Sequence, residues 1–337
     1  MFHESFQQHY AELKTLVDAA LKETVDALPW PSALKNAVEY SLMAGGKRFR
    51  PVLVLLATEV CGGNPTEAVP AACAIEMIHT YSLIHDDLPS MDDDDLRRGR
   101  PTSHVVFGEA LAILAGDALL TLAFETLGEA KTSALVTAEC LKTLASAAGG
   151  QGMVGGQILD LEAERGDFIA ANSATSAQTE ANSGSQSTAP TVSSSKQNAE
   201  LPDPASDKPL IRVEQLIQIH RMKTGALITA ALELGAIVAN ASVDQKEALK
   251  QYGQCTGLAF QIADDLLDVT GSDIRLGKET GRDNELGKLT YPSLIGIEAS
   301  RQKAESLVET ACRALEVFSE NTAALKQLAQ FIVERDH

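Results

Sequence analysis

Residues 77–100 read MIHTYSLIHDDLPSMDDDDLRRGR: an apolar stretch at helical spacing runs straight into six aspartates within ten residues. So much like charge repels itself, and an acidic run is ordinarily a solvated loop. Here the flanks argue otherwise. MIHTYSLI precedes the acids and LAILAGDALL follows at 111–120, which places the carboxylates at the edge of core helices. Their oxygens suit a hard divalent cation such as Mg²⁺, which would hold them ionised. At about 100° per residue, Asp86 and Asp92 lie well apart around a regular helix, so one helix cannot aim both at a single ion. Pro89, between them, predicts that the helix ends or bends there.

The same helical spacing extends in both directions. Phe6, Tyr10, Leu13, Val17, Leu21, Val25 and Leu28 recur near the start, and Leu227, Ile228, Ala231, Leu234 and Val238 later. Period-two alternation is rare, and Ala and Leu outnumber the β-branched and aromatic residues that favour strands. The pattern predicts an all-α protein, a helical bundle around a central cavity, built as one domain over 1–337. One segment breaks the pattern. Positions 166–209 are made of Ser, Thr, Ala, Asn, Gln and Pro and cannot bury enough apolar surface to order themselves, so they read as a disordered low-complexity insertion. No solenoid-length repeat is present.

Farther along, Asp264, Asp265 and Asp268 form a second acidic set. Residues four apart share a helix face, so Asp264 and Asp268 can address one metal, although an ordinary polar stripe has the same spacing. Basic groups then recur at GGKRFRP (45–51), Arg97 and Arg98, Arg221 and Lys223, Lys278 and Lys288. Arginine forks and lysine point charges suit phosphate oxygens. Each alone reads as a surface charge; together they read as diphosphate pockets, with acids for Mg²⁺ on one side and cations on the other.

Composition excludes some classes. With 28 Lys and Arg against 46 Asp and Glu, a formal charge of −18, there is no chain-wide basic footprint for nucleic acid or an anionic membrane. Five scattered cysteines (Cys61, Cys73, Cys140, Cys255, Cys312) without a CxxC pair suggest reduced thiols rather than a zinc site or disulfide framework. The opening MFHESFQQHYAELK lacks the basic start and apolar core of a secretory signal, and no unbroken apolar run approaches membrane-spanning length. The expectation is a cytoplasmic protein without a membrane span.

Six ordered motifs carry a family resemblance: GGKRFRP at 45, HTYSLIHDDLPSMDDDDLRRGRPTSH at 79, GGQILDLEAE at 155, HRMKTGAL at 220, FQIADDLLDVTG at 260 and LGKETGRDNELGKLTYP at 276. From about residue 30 to the C-terminus, the insertion apart, the chain resembles the trans-isoprenyl diphosphate synthases, and among them the bacterial farnesyl diphosphate synthases. The resemblance implies head-to-tail condensation, in which an allylic diphosphate ionises and the double bond of isopentenyl diphosphate attacks the allyl cation. It implies Mg²⁺, three ions per active site, held by Asp86, Asp92 and Asp264 with Asp87, Asp265 and Asp268 nearby. Arg97, Lys223 and Lys278, with Lys288 as an addition, would reach the allylic diphosphate. Lys47, Arg50, His79 and Arg98 would hold isopentenyl diphosphate, and Thr224 and Gln261 would lie near the reacting carbons, the released diphosphate taking the proton. His85 reads as a satisfied helix histidine. A homodimer is implied as well.

Product length follows from Tyr81 and Ser82, five and four residues before Asp86, one helix turn or so below the acids. A ring there, with the two extra residues of DDLPSMD, resembles the short-product bacterial type and implies the fifteen-carbon farnesyl chain. Geranylgeranyl diphosphate synthase, with a twenty-carbon product, is the alternative within the class. Outside it stand a metal-dependent phosphohydrolase, suggested by the His85–Asp86 pair but lacking a fitting set of further histidines, and a non-catalytic partner subunit, which typically loses the acidic motifs kept here.

Overall fold

The computed structural model describes residues 4–165, 208–270, 289–319 and 321–334 of the 337-residue chain. Positions 166–207, most of the expected insertion, lie outside the described residues, as do Lys278 and Lys288. The last two positions assigned to the insertion, Lys208 and Pro209, instead open a helix. A proline in the first turn forfeits a hydrogen bond that a helix start lacks anyway.

The architecture is all-α, as the periodicity predicts. Helices α1 (Glu4–Ala27), α2 (Ser32–Leu42), α3 (Phe49–Val60) and α4 (Val69–Asp86) precede a two-residue hairpin, β1 (Leu96–Arg97) and β2 (Arg100–Pro101). Then come α5 (Ser103–Phe107), α6 (Glu109–Gly128), α7 (Ala134–Ala148), α8 (Met153–Arg165), α9 (Lys208–His220), a π-helical turn (Arg221–Gly225), α10 (Ala226–Val238) and α11 (Val243–Thr270). Short α12 (Tyr291–Ile295), α13 (Ile297–Ala314) and α14 (Ala323–Glu334) finish the fold.

The core forms around α10. Leu227, Ile228, Ala230, Ala231, Leu232, Leu234 and Ile237 of that helix are all buried, while Ala226, Thr229 and Glu233 form one half-buried stripe. It packs against α3, α4, α7 and α11, while α6 lies along α4. The two helices that carry the acidic sets, α4 and α11, therefore share α10 as a common wall. By length and mean hydropathy (20 residues, 1.7) α6 is apolar enough to cross a membrane, although Asp117 and Glu125 interrupt it. Its Ala112, Ala115, Leu119 and Leu122 face the core.

Two charged clamps fix the N-terminal helices. Arg48 has left-handed backbone (φ 50°), which turns its buried side chain inward. Its guanidinium donates to Asp18 at 2.7 Å, Glu76 at 2.8 Å and the Leu42 carbonyl at 2.6 Å, joining α1, α2 and α4 at the head of α3. Tyr40 holds the β1–β2 hairpin by donating to the Pro101 carbonyl at 2.7 Å beneath Arg100.

Candidate active site

Helix α4 ends at Asp86, three residues before Pro89, and the loop then doubles back. Met91 N–H donates to Leu88 O at 2.8 Å, and Asp92 N–H donates to Asp86 O at 2.9 Å. Left-handed Asp93 (φ 52°) completes the reversal. The turn, rather than a helix face, brings Asp92 beside Asp86. Burial pushes the Asp86 carboxyl up to about 6; Lys223 opposes the rise, and Asp92 adds to it. Asp87 points elsewhere: it accepts from Arg97 at 2.6 Å (Nε) and 2.5 Å (Nη2), with Asp94 3.7 Å from the same guanidinium. Arg97 and Asp87 thus brace each other behind the acidic turn.

On one side of Asp86 opens a cavity of about 390 Å³, whose wall includes Tyr81, Ser82, Asp86, Lys223 and Thr224. Lys223 and Thr224 sit in the π turn, where one extra residue per turn re-aims side chains, a feature frequent at functional sites. Lys223 Nζ lies 2.5 Å from Asp160 Oδ2 on α8. Gly156 lets the backbone of the π turn come close to α8, since a Cβ there would stand 2.2 Å from the Lys223 backbone nitrogen. Met153, Gln157 and Leu161 of α8 supply the opposite wall. Ser82 Oγ is turned back onto its own helix, donating to His79 O at 2.9 Å.

A second cavity, about 400 Å³, adjoins the first across Arg50 and His79, which line both. Lys47, Arg50, His79 and Arg98 lie together on its wall, with Phe260 of α11 and Phe331 of α14. Lys47 Nζ sits 5.4 Å from the Phe331 ring centre. Arg98 donates to the Gly45 carbonyl, and Gly46 (φ +119°) leaves room for it, since a Cβ there would meet the guanidinium at 2.3 Å. Among the described residues Arg50 Nε is buried without a hydrogen-bond partner. Burial, then the neighbouring Arg50 and Arg98, holds the His79 imidazole well below its ordinary range and therefore neutral.

The second acidic set lies on α11. Asp264 is exposed and in the field of Arg50. Asp265 is buried and accepts the Tyr291 backbone N–H at 2.9 Å, capping α12. Among the described residues Asp268 Oδ2 is buried without a hydrogen-bond partner, and Gln261 is half-buried two turns earlier. Among the described residues no three His, Cys, Asp or Glu side chains converge on one metal-sized point. The donors nevertheless fit a hard cation: Asp86 and Asp92 crowd together, and the Asp268 oxygen is a buried acceptor with no partner among the described residues.

Sequence reasoning missed Asp160 as the partner of Lys223, Phe331 as a wall and Glu76 as the buried counter-ion of Arg48. For Asp160 a signal existed: the Gly155–Gly156 pair marks a close backbone approach, and Asp160 lies one helix turn farther on. His85, read as a satisfied helix histidine, places Nε2 3.1 Å from the Ile113 carbonyl of α6.

Helices enclose adjoining cavities, one with Asp86 and Lys223 on its wall and the other with arginines, lysine and histidine, and the relatives that share this fold are prenyltransferases. The chain belongs to the polyprenyl synthetase family, whose sequence profile matches residues 31–331. It is 40% identical over 336 residues to a farnesyl diphosphate synthase of Geobacillus stearothermophilus, covering 99% of both chains. It is 42% identical to the heterodimeric geranylgeranyl pyrophosphate synthase large subunit 1 of Arabidopsis thaliana, covering 98% of this chain and 80% of that one. Among solved structures, an FPP/GFPP synthase from Zymomonas mobilis superposes with a TM-score of 0.75 at 34% identity, covering 98% of this chain and 99% of the other. The family assignment sets the phosphohydrolase reading aside.

Proposed function

We propose that the protein is a farnesyl diphosphate synthase, condensing isopentenyl diphosphate with dimethylallyl and then geranyl diphosphate. The observation that carries the reading is Tyr81. Its ring is 7% exposed, one helix turn or so from Asp86, and lines the same cavity, so a chain growing away from the acids meets it early. The Arabidopsis relatives, named for geranylgeranyl pyrophosphate, favour a second reading with a twenty-carbon product.

In the first reading the larger part of the chemistry is electrostatic. Lys223, fixed by Asp160, orients the allylic diphosphate over Asp86 and Asp92, with Asp264 and Asp268 opposite; Lys278 and Lys288 are assigned to the same group, and Arg97 supports it from behind the acidic turn through Asp87. Asp86, Asp92, Asp264 and Asp268 would hold Mg²⁺, three ions by family resemblance, which when bound would supply positive charge against the departing diphosphate. Lys47, Arg50 and Arg98 hold isopentenyl diphosphate, and neutral His79 adds a hydrogen bond without a fourth positive charge. Thr224 and Gln261 face the reacting carbons, and the apolar wall of Met153 and Leu161 keeps water from the cation. The departed diphosphate takes the proton.

We further place the enzyme in the cytoplasm and assign it a homodimer. The apolar side chains of Val105, Val106, Ile113 and Leu114 on α5 and α6 are 42–57% exposed, and a second copy of the chain would cover them. Chromatographic sizing of products from isopentenyl and dimethylallyl diphosphates tests the reading: farnesyl diphosphate is expected from the native chain and longer products from Tyr81→Ala. Twenty-carbon product from the native chain would favour the second reading.

A further inference from the structure

Tyr81 lies on one face of α4 with His85, four residues on. Their rings meet edge to face, centroids 5.7 Å apart and planes at 76°, the arrangement in which the positive edge of one ring meets the negative face of another. Both rings line the cavity that holds Asp86.

His85 is in turn pinned from the far side. Its Nε2 lies 3.1 Å from the main-chain oxygen of Ile113 on α6. A carbonyl only accepts, so Nε2 donates, which orients the ring plane, with Asp117 Oδ1 4.0 Å from the same nitrogen. The imidazole occupies the space over Gly116, where an added Cβ would stand 2.1 Å from Nε2. Any side chain at 116 displaces the ring.

We propose that His85 is a positioning residue for product length: anchored on Ile113 and seated over Gly116, it braces the Tyr81 ring across the bottom of the allylic cavity. A tyrosine ring on its own can change χ1 and let a growing chain past. Held edge to face by an immobilised imidazole, it cannot swing without breaking that contact. The proposal rests on the reading of Tyr81 as the chain stop, and it assigns the control of that stop to a contact between α4 and α6. His85 neither touches the diphosphate nor moves a proton here; it acts through Tyr81.

The experiment compares four variants of the full chain by product distribution at matched total turnover: Tyr81→Ala, His85→Ala, Gly116→Ala and the double variant Tyr81→Ala/His85→Ala. Gly116→Ala displaces the imidazole without altering either ring, so it still reports if His85→Ala folds poorly. We expect Tyr81→Ala to lengthen the product and both single brace variants to raise the ratio of chains beyond the native length roughly two- to tenfold, the range of one aromatic pair. We expect the double variant to match Tyr81→Ala. Normal product length in His85→Ala and Gly116→Ala, with Tyr81→Ala lengthened, overturns the brace and leaves the chain stop standing. A double variant that exceeds Tyr81→Ala also overturns it, since His85 would then be a stop in its own right. Unchanged length in Tyr81→Ala removes the chain stop and the brace together.

Discussion

The backbone N–H of Asp92 is hydrogen-bonded to the carbonyl oxygen of Asp86, 2.9 Å away, so two carboxylates six residues apart share one turn. Because the main chain rather than the side chain of Asp92 closes that turn, Asp92→Asn should keep it. The charge, however, would be gone. We expect turnover to fall by about 10²–10³, the usual cost of one group that stabilises charge in the transition state. Thermal stability should hold or rise, since like charge beside Asp86 is relieved. Calorimetry alongside a condensation assay separates the two; loss of both fold and activity would make Asp92 structural.

Asp160 fixes Lys223 at 2.5 Å. Asp160→Asn should leave the lysine mobile and lower kcat/KM for the allylic diphosphate by about tenfold, roughly 1.4 kcal/mol of transition-state binding. The KM for isopentenyl diphosphate should stay put, because its cavity is lined by other cations. Equal effects on both substrates would show that the ion pair merely supports the fold.

The side chains of Arg48 and Glu76 are 2% and 3% exposed. Arg48→Met strands the Glu76 carboxylate and should cost about 3–5 kcal/mol in urea unfolding, as broken buried pairs do. Pairing it with Glu76→Gln should recover much of that loss. If the single variant were as stable as the native protein, the clamp would carry no weight.

His220 stacks on Tyr291 at 5.8 Å, and burial holds its imidazole down at about 4. Above about pH 6.5 the histidine is neutral both folded and unfolded and adds no pH dependence. Below that, the unfolded chain takes a proton that the folded one refuses, so stability falls until about pH 4. Between pH 7 and 5 the native protein should lose about 2 kcal/mol more than His220→Phe, which keeps a ring against Tyr291 but cannot titrate. Parallel pH profiles of the urea midpoint would contradict this.

Most of the scaffold was legible because helix spacing is a property of the sequence itself. Leu227, Ile228, Ala231, Leu234 and Val238 recur at helical spacing and read directly as a helix packed in the core, and LPS at 88–90 marks the end of α4. The return of Asp92 to Asp86 was not legible, since it depends on a seven-residue turn that no periodicity encodes. GGKRFRP shows the limit from another side. Charge alone does not tell Arg48, turned inward by its positive φ to clamp three helices, from Arg50, which faces the cavities. The π turn was equally silent: HRMKTGAL reads as ordinary helix, yet one added residue per turn decides where Lys223 and Thr224 point.

In the proposed reaction the carboxylates around Asp86 work through a divalent cation to release diphosphate from an allylic substrate. The decisive quantity is the rate at which the purified chain joins isopentenyl to geranyl diphosphate in Mg²⁺, native against Asp86→Ala. The native rate should vanish with chelator, and Asp86→Ala should lose about three orders of magnitude. Full turnover by Asp86→Ala, or by the native chain without a divalent cation, would contradict this role.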